Sequence, residues 1–314
     1  MTRTRQSAAR RVDPRPSAPP RRRIARTALV LLGTLALALV LIGWVRWTIQ
    51  RDSYSPRLRQ VSVEVPGLTH VVDVLQVSDL GGDRFGPKQS KLGGLLAGQR
   101  FDAVVLTGDM LGTRDYEAVW ELADVVKAHS SRVWYLPGNH DTPAVAAGLA
   151  ERAVPSLPES RAVQVIDDDP SARDVALVYG RSSATIATAK GHGRELLVIA
   201  SHTPPSDSRL AAGLALGGGV HLYIAGHTHG GQVRLPRVGA VVAPMPWAYE
   251  ERPPAAENEI VWWPDLRGRF VDGMYVRHGQ RIFITQGLES VSYYPRFLDQ
   301  SEMVVYHFVP APAH

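Results

Sequence analysis

The sequence has no cysteine among its 314 residues. Disulfides, thiolate metal sites and cysteine nucleophiles are therefore excluded, and a bound metal ion would need oxygen and imidazole ligands. The body of the chain also lacks an excess of positive charge. Residues 1–59 hold thirteen arginines against Asp13 and Asp52, which leaves 22 basic and 28 acidic side chains for residues 60–314. The net charge of +5 therefore does not indicate a nucleic-acid-binding protein.

Charged residues are also absent from Thr27 to Val45, a run dominated by Leu, Val and Ala. As a helix this run would span about 28 Å, close to the thickness of a bilayer's hydrocarbon core. We expect a disordered basic tail over 1–23, a transmembrane helix over 24–48 and a linker over 49–60. A cleaved signal peptide is the alternative, although the run is longer than a signal peptide's apolar region and ends in Trp-Val-Arg-Trp.

The arginines around this apolar run predict its orientation. Nine precede it and four follow it before residue 60. Since basic residues favour the cytoplasmic side, the tail is predicted to lie in the cytoplasm and the large domain outside it, at the cell membrane.

Five short apolar runs in the body end in polar residues. Each run is rich in Val, Ile or Leu and is bounded by Gly or Pro, which predicts a buried strand. The residues that follow the runs are Asp79, Asp109, Asn139 with His140, His202, and His227 with His229. Helical periodicity over 114–130 places a helix between two of the strands, which indicates an α/β fold. Ligand sites in such sheets lie beyond the carboxyl ends of the strands.

Each of these residues has a structural explanation when it is taken alone. Asp109 lies in a Gly-Asp turn, Asn139 follows a glycine, and a single histidine such as His202 is more often structural than a ligand. Together they would crowd carboxylates and imidazoles at one edge, which is costly unless a cation binds them. The mixture of carboxylate, amide and imidazole groups suits Mn, Fe or Zn rather than calcium.

The order of the motifs resembles that of the calcineurin-like metallophosphoesterases. The motifs are Ser78-Asp79-Leu80, Thr107-Gly108-Asp109, Pro137-Gly138-Asn139-His140-Asp141, His202 and Gly226-His227-Thr228-His229-Gly230-Gly231-Gln232. The resemblance covers a domain over 61–309 and is strongest to the bacterial membrane-associated branch whose last motif reads Gly-His-Thr-His-Gly-Gly-Gln. It implies a four-layer β sandwich flanked by helices, which would follow the N-terminal transmembrane helix.

The resemblance also implies a function and the residues that perform it. The protein would hydrolyse phosphomonoesters or phosphodiesters at two divalent metal ions with a bridging hydroxide as nucleophile. The implied metal ligands are Asp79 and His229 for one ion, Asn139, His202 and His227 for the other, and Asp109 for both. His140 would contact the phosphate and protonate the leaving oxygen, with Asp141 orienting it.

One position departs from the family pattern. The first motif is normally Asp-x-His, and here it reads Asp79-Leu80-Gly81, so no side chain at position 81 can bind a metal ion. Asp83 is a candidate substitute. A membrane-anchored binding module with a degenerate site is the alternative function, although loss of one ligand among several favours an active enzyme. A nuclease of the same fold is a third hypothesis, against which the acidic body argues.

A Pro-rich aromatic stretch from Pro244 to about Arg269 is the second departure. It contains Trp247, Trp262 and Trp263. The stretch is either a surface loop that packs its own tryptophans or a lid that faces lipid, since Trp favours interfaces. With an outward-facing anchored domain, phospholipid or cell-envelope phosphates are candidate substrates, and no nucleic acid is expected.

Overall fold

The computed structural model describes residues 20–112, 115–157, 162–165, 175–179, 196–208, 210–211, 220–244, 260–262, 271–290 and 294–312. The chain divides into two compact units, Met1–Arg46 and Trp47–His314, and each is described by itself.

The first unit is helical wherever the structure describes it. Helix α1 runs over Pro20–Tyr54, and its segment Ile24–Tyr54 contains an 18-residue stretch with a mean hydropathy of 2.6. Its large apolar side chains, such as Leu29 and Val40, are exposed. This N-terminal helix is therefore long and apolar enough to cross a membrane.

The interval 49–60, expected to be a linker, is mostly regular structure. Helix α1 continues to Tyr54, and strand β1 (Arg57–Val65) begins three residues later. The reason is burial within the second unit, because Asp52 is fully buried and its carbonyl oxygen accepts a hydrogen bond from the Ser301 amide at 2.9 Å. A polar stretch after an apolar helix gave no sign of this packing.

The second unit contains the strands and the remaining helices. The strands after β1 are β2 (Val72–Val77), β3 (Ala103–Leu106), β4 (Val133–Tyr135), β5 (Ala162–Val165), β6 (Val175–Tyr179), β7 (Leu196–Ala200), β8 (Val220–Ala225), β9 (Val233–Leu235), β10 (Gly239–Pro244), β11 (Ile260–Trp262), β12 (Gly273–Arg277), β13 (Gln280–Ile284) and β14 (Glu302–Pro310). The helices are α2 (Ser90–Leu96), α3 (Tyr116–Lys127) and α4 (Pro143–Glu151), with short 3₁₀ turns at Pro87–Gln89 and His229–Gly231.

The described strands form two main sheets and one small sheet. The first sheet has the order β1-β14-β2-β3-β4, the second β12-β13-β8-β7-β6-β5, and the small one β11-β10-β9. Val74 and Val105 of the first sheet share a buried cluster with Val198 and Ile224 of the second, so the main core lies between the two sheets. Sheets that pack face to face in this way form a β sandwich.

Helices α2, α3 and α4 cover the other face of the first sheet, where Leu92, Val119 and Leu149 join a second buried cluster. The helix predicted over 114–130 is α3, which begins after Asp115. That side chain accepts a hydrogen bond from the Ala118 amide and caps the helix. The predicted α/β sandwich with flanking helices is confirmed.

Strand direction determines where the polar residues meet. Strands β2, β3 and β4 are parallel to one another in the first sheet, and β7, β8 and β13 are parallel in the second. The carboxyl ends of parallel strands lie at the same edge of a sheet, so each sheet brings its strand-end loops to one edge.

Candidate metal centre

Four of the predicted ligands are linked by contacts of hydrogen-bonding length, and we call them the histidine cluster: Asp109, Asn139, His202 and His227. The Nε2 atom of His202 is 2.8 Å from Oδ1 of Asn139, 3.0 Å from Oδ2 of Asp109 and 3.2 Å from Nδ1 of His227. Nδ1 of His227 is also 3.1 Å from Oδ1 of Asn139. The loops after β3, β4, β7 and β8 each contribute one member.

The other ring nitrogen of His202 orients this arrangement. Nδ1 donates a hydrogen bond to the carbonyl oxygen of Thr107 at 2.9 Å, so Nε2 faces the cluster and presents its lone pair there when the ring is neutral. The carboxylate of Asp109 and the side-chain carbonyl of Asn139 also present lone pairs there. A divalent cation at this point would be within reach of all these ligand atoms and would favour the neutral form of His202. The donor set therefore fits a metal ion.

A second group, which we call the carboxylate cluster, consists of Asp79, Asp109 and His229. Its members are buried, and each offers a ligand atom within 4.8 Å of those of the other two. Nε2 of His229 is 3.5 Å from Oδ1 of Asp79. Among the described residues, the buried Nδ1 of His229 has no hydrogen-bond partner. Asp109 belongs to both clusters, so the two groups adjoin.

The charges of this region are unbalanced without a cation. Burial raises the pKa of Asp79, and the charge of Asp109 adds to the effect. Burial opposes a charge on His202, but Asp109 and Asp79 outweigh it and raise the pKa of His202 to about 9. Burial and the charge of His202 lower the pKa of His227 to about 3. A divalent cation would reverse this pattern by favouring ionised carboxylates and neutral imidazoles.

The backbone at four of the predicted ligands is strained. The φ angles are 53° at Asp79, 52° at Asp109, 72° at His227 and 49° at His229. Such left-handed conformations are uncommon for residues other than glycine and cost of order 1–3 kcal/mol each. They persist where the surrounding structure forces them, which is typical of functional sites.

Two glycines next to ligands are required by close packing. A Cβ atom at Gly138 would lie 2.1 Å from Oδ1 of Asp109, and one at Gly226 would lie 2.4 Å from Oδ2 of Asp79. The amide of His227 then donates to both carboxylate oxygens of Asp79, at 3.1 and 3.2 Å. The glycines of the two motifs therefore allow the aspartates to approach the neighbouring loops.

His140 lies at the edge of the centre and is exposed to solvent. Its amide donates to Oδ1 of Asp109 at 2.8 Å, which fixes the loop beside the histidine cluster. The Asp141 carboxylate accepts hydrogen bonds from the amides of Leu111 and Gly138, each at 3.0 Å. Asp141 therefore ties the loop that carries Asn139 to the loop that carries Asp109, while the orientation of the His140 ring by Asp141 stays a prediction.

Two acidic residues lie near the position of the missing histidine. Oδ2 of Asp83, the substitute considered from the sequence, accepts hydrogen bonds from the amide and hydroxyl of Ser290, each at 2.6 Å. Glu289 is buried next to the carboxylate cluster, and its Oε2 is 3.5 Å from Nδ1 of His229. Burial and the charges of Asp79 and Asp83 raise the pKa of Glu289 to about 8.

Glu289 was missed from the sequence although a signal was present. The apolar run over 282–287 is followed by Leu288 and Glu289, the same succession of strand and polar residue that marks the five other runs. We interpreted that run only as a closing strand of the sandwich. Trp262 of the aromatic stretch lies in strand β11, whereas Trp247 and Trp263 lie outside the described residues, and the function of the stretch as a loop or a lid stays a prediction.

A two-sheet sandwich whose strand ends gather carboxylate, amide and imidazole groups is the architecture of a metal-dependent hydrolase. A family model described as calcineurin-like phosphoesterase matches residues 72–231, which is half of the chain and includes all six predicted metal ligands. The chain therefore belongs to the calcineurin-like phosphoesterase family and is a phosphoesterase hydrolase.

Comparison with solved structures adds no information about the substrate. The chain is similar to the phosphopantetheinyl hydrolase (PptH) from Mycobacterium tuberculosis, with 11% identity, coverage of 80% of this chain and 99% of that chain, and a TM-score of 0.35. No curated protein matches the sequence significantly.

Proposed function

We propose that the protein hydrolyses phosphoesters with two divalent metal ions held by the loops at the strand ends of its two sheets. The proposed ligands are Asp79, Asp109 and His229 for the first ion and Asp109, Asn139, His202 and His227 for the second. The observation that carries this proposal is the convergence of potential ligand atoms around Nε2 of His202, with its Nδ1 fixed by the Thr107 carbonyl. Mn, Fe and Zn suit such a mixture of ligands.

Asp109 is the group that would join the two ions. It is a member of both groups of potential ligand atoms. Its Oδ2 faces Nε2 of His202 at 3.0 Å, and its Oδ1 is held by the amide of His140. A carboxylate shared in this way supports one bridged centre rather than two separate sites.

The ions, when bound, would supply an activated water and a clamp for the phosphoryl oxygens. Side chains and backbone groups of the protein would orient the ligands and contact the substrate. Thr107 keeps His202 in the tautomer that a ligand needs, and Asp79 is held by the His227 amide. His140, exposed and anchored through its amide to Asp109, is placed to contact the substrate phosphate and to give a proton to the leaving oxygen.

The test uses the full chain in detergent with p-nitrophenyl phosphate and bis(p-nitrophenyl) phosphate as substrates. Turnover is expected to disappear after chelation and to return with added Mn²⁺. His140→Asn is expected to lower kcat by about 10²- to 10⁴-fold while both equivalents of Mn²⁺ stay bound. His307→Asn, a change at a histidine on β14 that pairs with Asp73, is the matched control and should leave turnover unchanged.

The outcomes separate the enzyme from the alternative function. Two bound equivalents of Mn²⁺ with no turnover of either ester would support a binding module. Turnover that survives complete chelation would contradict the two-metal mechanism. A preference between the two substrates would also assign the enzyme to monoesters or diesters.

We further propose that helix α1 anchors the protein in the cell membrane with the hydrolase domain outside the cytoplasm. The length and apolarity of Ile24–Tyr54 and the arginines before it support this topology. Phospholipid or cell-envelope phosphates are then the proposed substrates. A C-terminal alkaline phosphatase fusion should be active and a C-terminal green fluorescent protein fusion dark; the opposite pattern would place the domain in the cytoplasm.

A further inference from the structure

The space at Gly81 is occupied by another residue. A Cβ atom at position 81 would lie 2.5 Å from Cγ, 2.6 Å from Cδ and 2.8 Å from Oε1 of Glu289. Gly81 also has a φ angle of +63°, which strains any residue with a side chain. The side chain of Glu289 therefore fills the volume into which a side chain at position 81 would extend.

The backbone brings Glu289 to this place. Strand β13 is parallel to β8, whose end supplies His227, and the segment after β13 pairs with the turn at Asp79. The amide of Leu288 donates to the carbonyl oxygen of Ser78 at 3.0 Å, and the amide of Glu289 donates to that of Asp79. Glu289 is thus tied directly to a residue of the carboxylate cluster.

A buried arginine holds the same segment from the other side. Arg296 is fully buried, and its Nε donates to the carbonyl oxygen of Glu289 at 2.7 Å. Its Nη2 donates to the carbonyl of Gln286 at 2.6 Å, and its Nη1 donates to that of His229 at 3.3 Å. The loop that carries Glu289 and the loop that carries His229 are therefore joined through one guanidinium group.

The carboxylate of Glu289 has the features of a metal ligand. It is buried, and its side chain keeps only 11% of its surface exposed. Its Oε2 lies 3.5 Å from Nδ1 of His229, a ring nitrogen that has no hydrogen-bond partner among the residues that the structure describes. A buried carboxylate beside Asp79 and Asp109 is costly unless a cation compensates it.

We propose that Glu289 replaces the histidine missing at position 81 and binds the metal ion of the carboxylate cluster together with Asp79, Asp109 and His229. The proposal rests on the two-metal site proposed above. Its consequence is chemical, because a third carboxylate makes this half of the centre more negative and richer in oxygen. Such a site favours Mn²⁺ over Zn²⁺ more strongly than one with two imidazoles.

The test measures metal binding rather than turnover. Mn²⁺ is titrated into the chelated full chain in detergent, and bound Mn²⁺ is counted after equilibrium dialysis. The wild-type protein is expected to bind two equivalents. Glu289→Gln, which keeps the shape of the side chain, should weaken one of the two sites at least about tenfold and leave the other unchanged. Glu289→Ala should weaken the same site further.

Two double variants identify which site is affected. In the His202→Ala background, which leaves only the carboxylate cluster able to bind, adding Glu289→Gln should remove the remaining equivalent. In the His229→Ala background the same change should have no further effect. Asp83→Asn tests the competing hypothesis that Asp83, the other acidic residue near Gly81, is the ligand. This variant should retain two equivalents.

The results that overturn the proposal differ from those that overturn the two-metal site. If Glu289→Gln binds two equivalents with wild-type affinities, or if Asp83→Asn loses the equivalent instead, Glu289 is not a ligand. If the wild-type protein itself binds fewer than two equivalents, the two-metal site fails, and the proposed role of Glu289 fails with it.

Discussion

The two clusters of the centre differ in how tightly their ligand groups are already gathered. In the histidine cluster the distances from Nε2 of His202 to its three partners are 2.8 to 3.2 Å, and the ring is held by the Thr107 carbonyl. In the carboxylate cluster the Asp79–His229 distance is 3.5 Å, and Nδ1 of His229 has no hydrogen-bond partner among the described residues. One cluster is preorganised and the other is looser.

The difference follows from the parts of the fold that build each cluster. The histidine cluster receives residues from the ends of β3, β4, β7 and β8, of which β3, β7 and β8 are interior strands and β4 is the end strand of the first sheet. The carboxylate cluster takes Asp79 and Asp109 from the ends of β2 and β3, but His229 lies in a 3₁₀ turn after β8 that Arg296 joins to the loop after β13. A ligand can therefore come from any strand end that reaches the metal position. Glu289, after β13, can take the place that the motif after β2 has lost at Gly81.

The largest expected effect removes the group that the clusters share. Asp109→Asn should release both ions and lower kcat about 1,000-fold or more, because metal stabilisation of the transition state is worth several kcal/mol. Bound metal and turnover of p-nitrophenyl phosphate are measured on the same preparation. Thermal unfolding of the chelated protein provides the control for folding. If one equivalent stays bound with wild-type affinity, Asp109 does not join the two clusters.

The next effect concerns the arginine that holds the carboxylate cluster. Arg296→Met leaves Asp299 without the guanidinium partner that lies 2.7 Å away, and both side chains are fully buried. Loss of one partner of a buried ion pair should destabilise the fold by about 3–5 kcal/mol. Chemical unfolding followed by tryptophan fluorescence measures the change.

Arg277→Met is the matched control, because the Arg277–Asp207 pair is also 2.7 Å long but each side chain keeps 26% of its surface exposed. That change should cost about 1 kcal/mol or less. Adding Asp299→Asn to Arg296→Met should recover part of the lost stability, since the unpaired charge is then removed. Equal losses from Arg296→Met and Arg277→Met would show that burial does not distinguish the two pairs.

The sequence predicted the histidine cluster better than the carboxylate cluster. Motifs such as Gly-Asn-His and Gly-His-Thr-His keep their ligands next to strand ends, so the local pattern was enough to place them at one edge of a sheet. Glu289 follows a strand in the same way. Its proposed role as a ligand, however, depends on the space left by the missing side chain at Gly81, which belongs to a turn 208 positions earlier in the chain. The fit of one side chain into the space beside a distant glycine leaves no periodicity or motif spacing in the sequence.

The fold shows the same division between local and distant information. Apolar runs predicted strands β2, β3, β4, β7 and β8 because strands that are largely buried require nearly continuous hydrophobic sequence. Strand β1 was not predicted and was partly assigned to the linker, since only Val63 and Val65 of its nine residues are buried. Its pairing with β14 at the edge of the sheet depends on a segment more than 200 residues away.

A smaller effect should distinguish the clusters by metal affinity. Stepwise dialysis against a chelator is expected to remove one equivalent of Mn²⁺ at about 10- to 100-fold lower chelator concentration than the other, since hydrogen bonds behind a ligand contribute affinity of that order. The equivalent that leaves first should be the one missing in His229→Ala, and the one that stays should be missing in His202→Ala. Simultaneous loss of both equivalents would mean that the clusters do not differ.

The smallest effect tests the packing at the missing histidine. Gly81→Ala places a Cβ atom 2.5 Å from Cγ of Glu289 at a φ angle of +63°, so it should cost about 1–3 kcal/mol and lower the Tm of the chelated protein by several degrees. Gly94→Ala is the control, because Gly94 lies in α2 with nothing within 4 Å of the added atom and should be neutral or stabilising. Combining Gly81→Ala with Glu289→Ala should cost less than the sum of the two single changes, since the contact is removed while the backbone strain remains. Strict additivity would show that Glu289 does not occupy the space above Gly81, and the replacement of the missing histidine would lose its structural basis.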